Sequence, residues 1–236
     1  MFARLIALCL LALPAAAETT LDAQYTLTVR GITGGRIAMR ATEEGGAYSA
    51  AARAQASGVV GALVAYTFDG AAQGRVSGGR YTPQRYTELE VDDGETTGAV
   101  IRFRGDRPRD VTFDPPRDPK PWDIVPSEQS GVIDPMTALY RVLRPTAPAG
   151  ACNLSFQLFD GRHVSRIALG AAQAGPDGTL RCAGEYRRLR GYDPKKLAEE
   201  PTVALTFTYA PLGDGRVQVS EVRSRTRLGD AVLRRQ

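Results

Sequence analysis

Ile133-Asp134-Pro135-Met136-Thr137-Ala138-Leu139-Tyr140-Arg141-Val142-Leu143-Arg144 is the one segment of this chain that reads as an amphipathic helix, set among short alternating stretches. Asp134 suits the N-cap and Pro135 the first helical position, where no backbone donor is needed. Arg141 and Arg144 complement the negative end of the helix dipole. Met136, Leu139, Tyr140 and Leu143 follow the i, i+3, i+4, i+7 spacing of a single apolar stripe. Such a stripe needs a flat apolar partner, and the rest of the chain supplies strands. The helix, predicted over 134–144, therefore competes with any ligand for the inner face of a sheet.

Working outward, Leu21–Arg30 alternates apolar and polar residues, and Gly34-Gly35 is read as the turn into a second strand, Arg36–Thr42. Tyr48–Ala56 follows, one face reading Tyr48, Ala50, Ala52, Ala54, Ala56. A face that small leaves room for a closely packed helix or for a ligand. Gly58–Ala65 fits a helical turn or a strand equally. Tyr66–Val76, Gly79–Val91, Glu95–Arg104 and Arg109–Phe113 continue as strands, with a strong hairpin signal at Asp92-Asp93-Gly94. Residues 114–130 carry Pro115, Pro116, Pro119, Pro121 and Pro126 and the only tryptophan, Trp122. Proline at that density excludes helix and central strand, leaving a long loop or lid before the helix. Cys152–Asp160, His163–Ala172, Thr179–Leu189, Thr202–Tyr209 and Arg216–Arg227 read as further strands. The fold expected is mainly β: one curved antiparallel sheet or partly open barrel of about 11–12 strands with one helix on it, in a single domain over 18–236.

Residues 1–17 have a basic start at Arg4, an apolar run from Leu5 to Leu13, and Ala15-Ala16-Ala17 before Glu18, the pattern of a cleaved secretory signal. Cys9 follows Leu8 inside the apolar run, where lipid attachment would need a small residue, so a soluble, unlipidated exported protein is expected. No run approaches the roughly 20 apolar residues of a membrane-spanning helix. The net charge of +4 becomes +3 when the signal takes one arginine and no acid with it. Only Lys120, Lys195 and Lys196 are lysines, so the positive charge is arginine, a bias that codon usage explains without nucleic acid. Cys152 and Cys182 remain after processing and read as a disulfide in an oxidising compartment. In a simple meander their strands would be separated by a third and lie roughly 9–10 Å apart. A bond requires Cα atoms within about 7 Å, hence a middle strand that ends near Ala172.

Chemistry is sparse. The single histidine, His163, cannot build a histidine-based metal site, and beside a hairpin turn it reads as a surface residue. No nucleophile elbow, phosphate loop or dinucleotide fingerprint occurs, and the pairs Asp92/Asp93 and Glu43/Glu44 read as turn acids. No catalytic residue, metal ligand or cofactor is assigned. Arg223, Arg225 and Arg227 would share one face of a strand, either solvated and relieved by neighbouring acids or serving to dock an anion or an acidic partner.

The order of motifs is similar to that of a known family. Gly34-Gly35 after a first strand, Thr82-Pro83-Gln84-Arg85-Tyr86, Asp134-Pro135-Met136-Thr137-Ala138-Leu139-Tyr140, Phe159-Asp160-Gly161-Arg162 and Cys182-Ala183-Gly184-Glu185-Tyr186 with Gly191-Tyr192 resemble the DUF3108 family of exported bacterial proteins. The resemblance implies a curved antiparallel β fold in the Gram-negative periplasm, with no assigned activity. Its architecture is similar to that of periplasmic lipoprotein and lipopolysaccharide carriers, an analogy of fold alone. The expected function is non-enzymatic binding of an apolar or amphipathic envelope ligand, such as a lipid or lipid-like molecule, with Tyr48, Ala50, Ala52, Ala54, Leu139 and Tyr140 lining a cavity and the Trp122 loop covering it. The rival is an envelope-protein scaffold whose helix leaves no cavity; an enzyme acting on envelope polymers is the third reading.

Overall fold

A computed structural model describes residues 18–226 and 229–236; the expected signal segment and Arg227 lie outside the described residues. Among the described residues fourteen strands form one sheet. They are β1 (Thr19–Val29), β2 (Ile32–Glu44), β3 (Ala47–Ala56), β4 (Tyr66–Ser77), β5 (Arg80–Asp92), β6 (Glu95–Arg104) and β7 (Arg107–Asp114), then β8 (Val132–Ile133), β9 (Ser155–Phe159), β10 (Val164–Ala174), β11 (Leu180–Arg190), β12 (Thr202–Pro211), β13 (Val217–Thr226) and β14 (Gly229–Arg235). Their order is β7-β6-β5-β4-β3-β2-β1-β14-β13-β12-β11-β10-β9-β8, antiparallel except for the short β8/β9 pair. The sheet curls into a nearly closed barrel, the arrangement that leaves least unpaired edge in so long a sheet. Three short helices accompany it: α1 (Gly58–Gly61), α2 (Pro135–Leu143) and α3 (Pro194–Glu199).

Most expected strands are present within a few residues, and two readings need correction. Arg30 and Gly31, both at positive φ, make the first turn, and Gly34-Gly35 lies inside β2 beside a bulge. The strand count is fourteen rather than about 11–12: β13 matches the strand read at 216–227, and β14 follows it as a further strand. β14 pairs with β1 through contacts such as Leu27 opposite Leu233, joining the two ends of the chain.

The end strands β7 and β8 bound a seam, and the Phe159-Asp160-Gly161-Arg162 and Gly191-Tyr192 motifs hold it. Asp160 Oδ1 accepts hydrogen bonds from the backbone N–H of Arg162 (2.9 Å) and His163 (2.7 Å), and its Oδ2 lies 2.9 Å from His163 Nδ1. This folds the β9–β10 turn so that Gly161, at φ +97°, lies against Val111 and Phe113 of β7. Gly191 passes so close to the Arg162 carbonyl that no side chain fits there, and Tyr192 stacks on His163 at 4.1 Å. His163 is therefore a half-buried clasp rather than a surface turn residue. The proline-rich loop runs along β7, tied by the bidentate Arg117–Asp123 pair (2.8 and 2.9 Å), and Val132 N–H donates to Asp106 O.

Cys152 and Cys182 are disulfide-bonded, with Cα atoms 5.9 Å apart. The third-strand objection is resolved by two local departures from the expected meander. Strand β9 begins only at Ser155, and β10 bulges between Leu169 and Ala172 before continuing to Ala174. Cys152 thus sits in the loop before β9, over that bulge, and reaches Cys182 opposite Ala172.

Candidate functional site

Helix α2 lies inside the barrel. Its ends follow local chemistry: Asp134 Oδ1 accepts from Thr137 N–H at 2.8 Å, Pro135 occupies the first turn and Arg144 caps the end. Met136, Thr137, Ala138, Tyr140, Val142 and Leu143 are buried, so the helix is enclosed on more than the single stripe expected, as a helix surrounded by sheet must be. Leu139, expected within that stripe, is only half-buried.

The alanine wall is the surface the helix covers. Tyr48, Ala50 and Ala52 are buried and Ala54 half-buried, all on the inner face of β3. On β4 the inner residues are Gly70, Ala72 and Gly74, and a side chain at Gly70 would meet Met136 Sδ at 3.0 Å. Tyr48 stacks on Tyr140 at 6.3 Å, Tyr81 packs edge-on against both, and Tyr48 OH bonds Thr137 Oγ1 at 2.7 Å. The expected cavity between these alanines and the Trp122 loop is therefore occupied by α2. Trp122 is half-buried in the loop whose 126–128 turn lies against β7.

Burial sets the electrostatics. Asp134 is fully buried, and burial pushes its carboxyl up to about 6 even though Thr137 donates to it from both N–H and Oγ1, the latter at 2.6 Å. Burial also raises the Tyr48, Tyr81, Tyr86 and Tyr140 hydroxyls, keeping them protonated donors. Tyr86 OH donates to Glu88 at 2.5 Å. Tyr81 and Tyr140 donate to Glu43 Oε2 at 2.5 and 3.2 Å, so Glu43, expected to be a turn acid, anchors the far end of α2. Burial pushes Asp160 up too, but the bonds from His163 outweigh it and hold its carboxyl below the ordinary range.

The remaining inner wall is apolar and only partly buried. Continuing the alternation along each strand, Ile37, Phe68, Leu205, Val222 and Leu233 point inward, yet they and Leu139 of α2 are only half-buried against the core. An inward side chain with access to solvent lines an opening. At the same end of the barrel, the β1–β2 turn and the segment of α1 carry an exposed apolar lip: Ile32 (55% exposed), Val59, Leu63 (80%) and Val64. The sequence reading missed this wall. Alternation marks the residues as inward, but nothing local says which inward residues the helix leaves bare.

On the outer face, Arg223 and Arg234 both hold Glu221, and Arg225 lies 3.6 Å from Asp230 on β14. The exposed arginines are thus relieved by acids on their own and the neighbouring strand. Ser165 Oγ bonds Tyr192 OH (2.5 Å) and Tyr186 OH (2.7 Å) rather than His163. No helix of the described residues is long and apolar enough to cross a membrane.

No curated protein matches the chain. Among solved structures it is similar to a β-barrel-like protein of the domain of unknown function DUF1849 from Brucella abortus, at 12% identity and a TM-score of 0.48, covering 92% of this chain and 96% of that one. A family model described as a protein of unknown function matches residues 24–173, from β1 through α2 to β10, and the chain belongs to that family, DUF3108.

Proposed function

We propose that this is an exported, non-catalytic envelope protein that binds an apolar or amphipathic molecule at the open end of its barrel. The observation that carries the reading is the inward yet accessible wall of Ile37, Phe68, Leu139, Leu205, Val222 and Leu233, beside the exposed lip of α1. Burying such a surface against an acyl chain contributes about 25 cal/mol per Å² of apolar area. Export rests on the sequence of residues 1–17 and on the Cys152–Cys182 bond, which suits an oxidising compartment. The absence of a catalytic role rests on His163, whose Nδ1 faces Asp160 and whose ring is covered by Tyr192, and on Ser165, whose hydroxyl is committed to two tyrosines.

The test is mass spectrometry of solvent extracts from protein purified out of the periplasm, together with saturation by the fluorescent apolar probe N-phenyl-1-naphthylamine. Co-purifying lipid and saturable probe binding that Leu205→Glu abolishes are expected. Clean extracts and no saturable binding would transfer the reading to an interaction scaffold. One observation favours that second reading: α2 fills the part of the barrel over Tyr48, Ala50 and Ala52.

A further inference from the structure

We propose that Arg141 and Arg144, at the C-terminal end of α2, form a binding site for a phosphate-type oxyanion. Six arginines are half-buried among the described residues: Arg117, Arg141, Arg144, Arg166, Arg188 and Arg235. Four of them have acceptors. Arg117 pairs with Asp123, Arg166 with Glu185, Arg188 with Glu200 and Arg235 with Gln218. Among the described residues Arg141 and Arg144 meet only aromatic faces. The Arg141 guanidinium carbon lies 4.5 Å from the Phe156 ring centre and 5.6 Å from that of Tyr81, and Arg144 lies 5.8 Å from the same Tyr81 ring.

Residues i and i+3 share a helix face, so two like charges converge on one tyrosine. The nearby acid, Glu43, gives its Oε2 to the Tyr81 and Tyr140 hydroxyls and forms no ion pair with either arginine. Burial holds the Arg141 guanidinium below its ordinary range, and the charge of Arg144 adds to that effect. The helix dipole offsets part of the repulsion but supplies no acceptor for the guanidinium forks. An oxyanion that presents several oxygens and more than one negative charge satisfies both forks at once, as phosphate does. This site is separate from the apolar mouth, because Leu139 and Arg141 lie about 200° apart around the helix axis.

The measurement is the melting temperature of the purified mature protein in sodium phosphate against sodium chloride of equal ionic strength. A second arm replaces phosphate with monomeric dihexanoyl phosphatidic acid. Wild type is expected to gain about 3 °C or more beyond the gain of Arg141→Gln/Arg144→Gln, whose response reports the general salting effect of phosphate. Arg223→Gln, on the outer face beside Glu221, retains the full gain. A gain already complete with phosphate assigns a free anion, and one that needs phosphatidic acid assigns a lipid headgroup. Arginine Nε–Hε NMR signals of the wild type provide a readout that does not depend on the double variant folding; two of them shift on titration and one is lost from the spectrum of Arg144→Gln. Equal gains in wild type and the double variant, or Nε–Hε signals unmoved by both phosphate and phosphatidic acid, overturn the proposal.

Discussion

The two walls of the barrel are built differently. On β3 and β4 the inner face is Ala50, Ala52, Gly70, Ala72 and Gly74, and a helix lies directly on it. Across the interior, β12 to β14 present Leu205, Phe207, Tyr209, Val219, Val222 and Leu233, and several of these remain accessible. The difference is one of side-chain volume. Where the sheet carries almost none, a helix backbone approaches closely and its own side chains complete the core; where the sheet carries large side chains, these span the space between sheet and helix. Tyr209 spans that distance, its hydroxyl donating to Val142 O at 3.2 Å.

The sharpest way to break the contrast is to remove the helix's own contribution. Tyr140→Ala deletes a fully buried ring stacked on Tyr48 and a bond to Glu43, and is expected to cost about 3–5 kcal/mol in urea unfolding. Leu205→Ala on the opposite wall, half-buried, should cost roughly 1 kcal/mol. Equal costs would mean the two walls are packed alike. The disulfide is next: it closes 30 residues at the end of the wide wall, and Cys152→Ala/Cys182→Ala should lower stability by about 3–4 kcal/mol.

The pH response tests the helix entry. Asp134 keeps its proton in the folded protein up to about pH 6, whereas the unfolded chain loses it near 3.8. The folded state therefore holds the extra proton between those values, and this group makes stability fall as pH rises from about 4 to 6. A displacement of that size corresponds to about 3 kcal/mol. Asp160, Asp123 and Glu221, held below the ordinary range, act in the other direction and withdraw stability as pH drops through their folded values. Asp134→Asn retains the cap and lets Thr137 Oγ1 accept from the amide while donating to Tyr48 OH. Its stability profile should be flatter between pH 4 and 6, and at pH 7 the variant should equal or exceed wild type. An unchanged slope would show that Asp134 is not the group responsible. The smallest stability effect belongs to the lip: Leu63→Ser, at an exposed position, should move stability by less than about 0.5 kcal/mol while weakening N-phenyl-1-naphthylamine binding.

Local signals carried much of the fold. Asp92-Asp93-Gly94 marked its hairpin and Asp134-Pro135 marked the start of α2, because caps and turns depend on residues a few positions apart. Strand β14 was not legible. Its alternation is short and ends in Arg234 and Arg235, and of its two partners one, β1, lies some 200 residues away in sequence. The site was less legible than the fold. Tyr48, Ala50, Ala52 and Tyr140 were recognised as inward and mutually placed, but their occupant is the chain's own helix. The wall that stays bare comes from β2, β4 and β12 to β14, and half-exposure has no sequence signature. Asp160-Gly161-Arg162-His163 was read as an ordinary hairpin turn, since its partners, Gly191-Tyr192 and the β7 edge, are distant.

By itself the sequence determined that strands dominate, where α2 begins and ends, and which residues of each strand share a face, since those follow from periods of 3.6 and 2 and from capping chemistry. Only the tertiary structure decided that β14 joins the two halves of the sheet, that α2 is enclosed rather than laid on a surface, and that Arg141 and Arg144 have no acceptor among the described residues. These are outcomes of volume and charge summed over residues far apart in the chain, and no local pattern encodes such a sum.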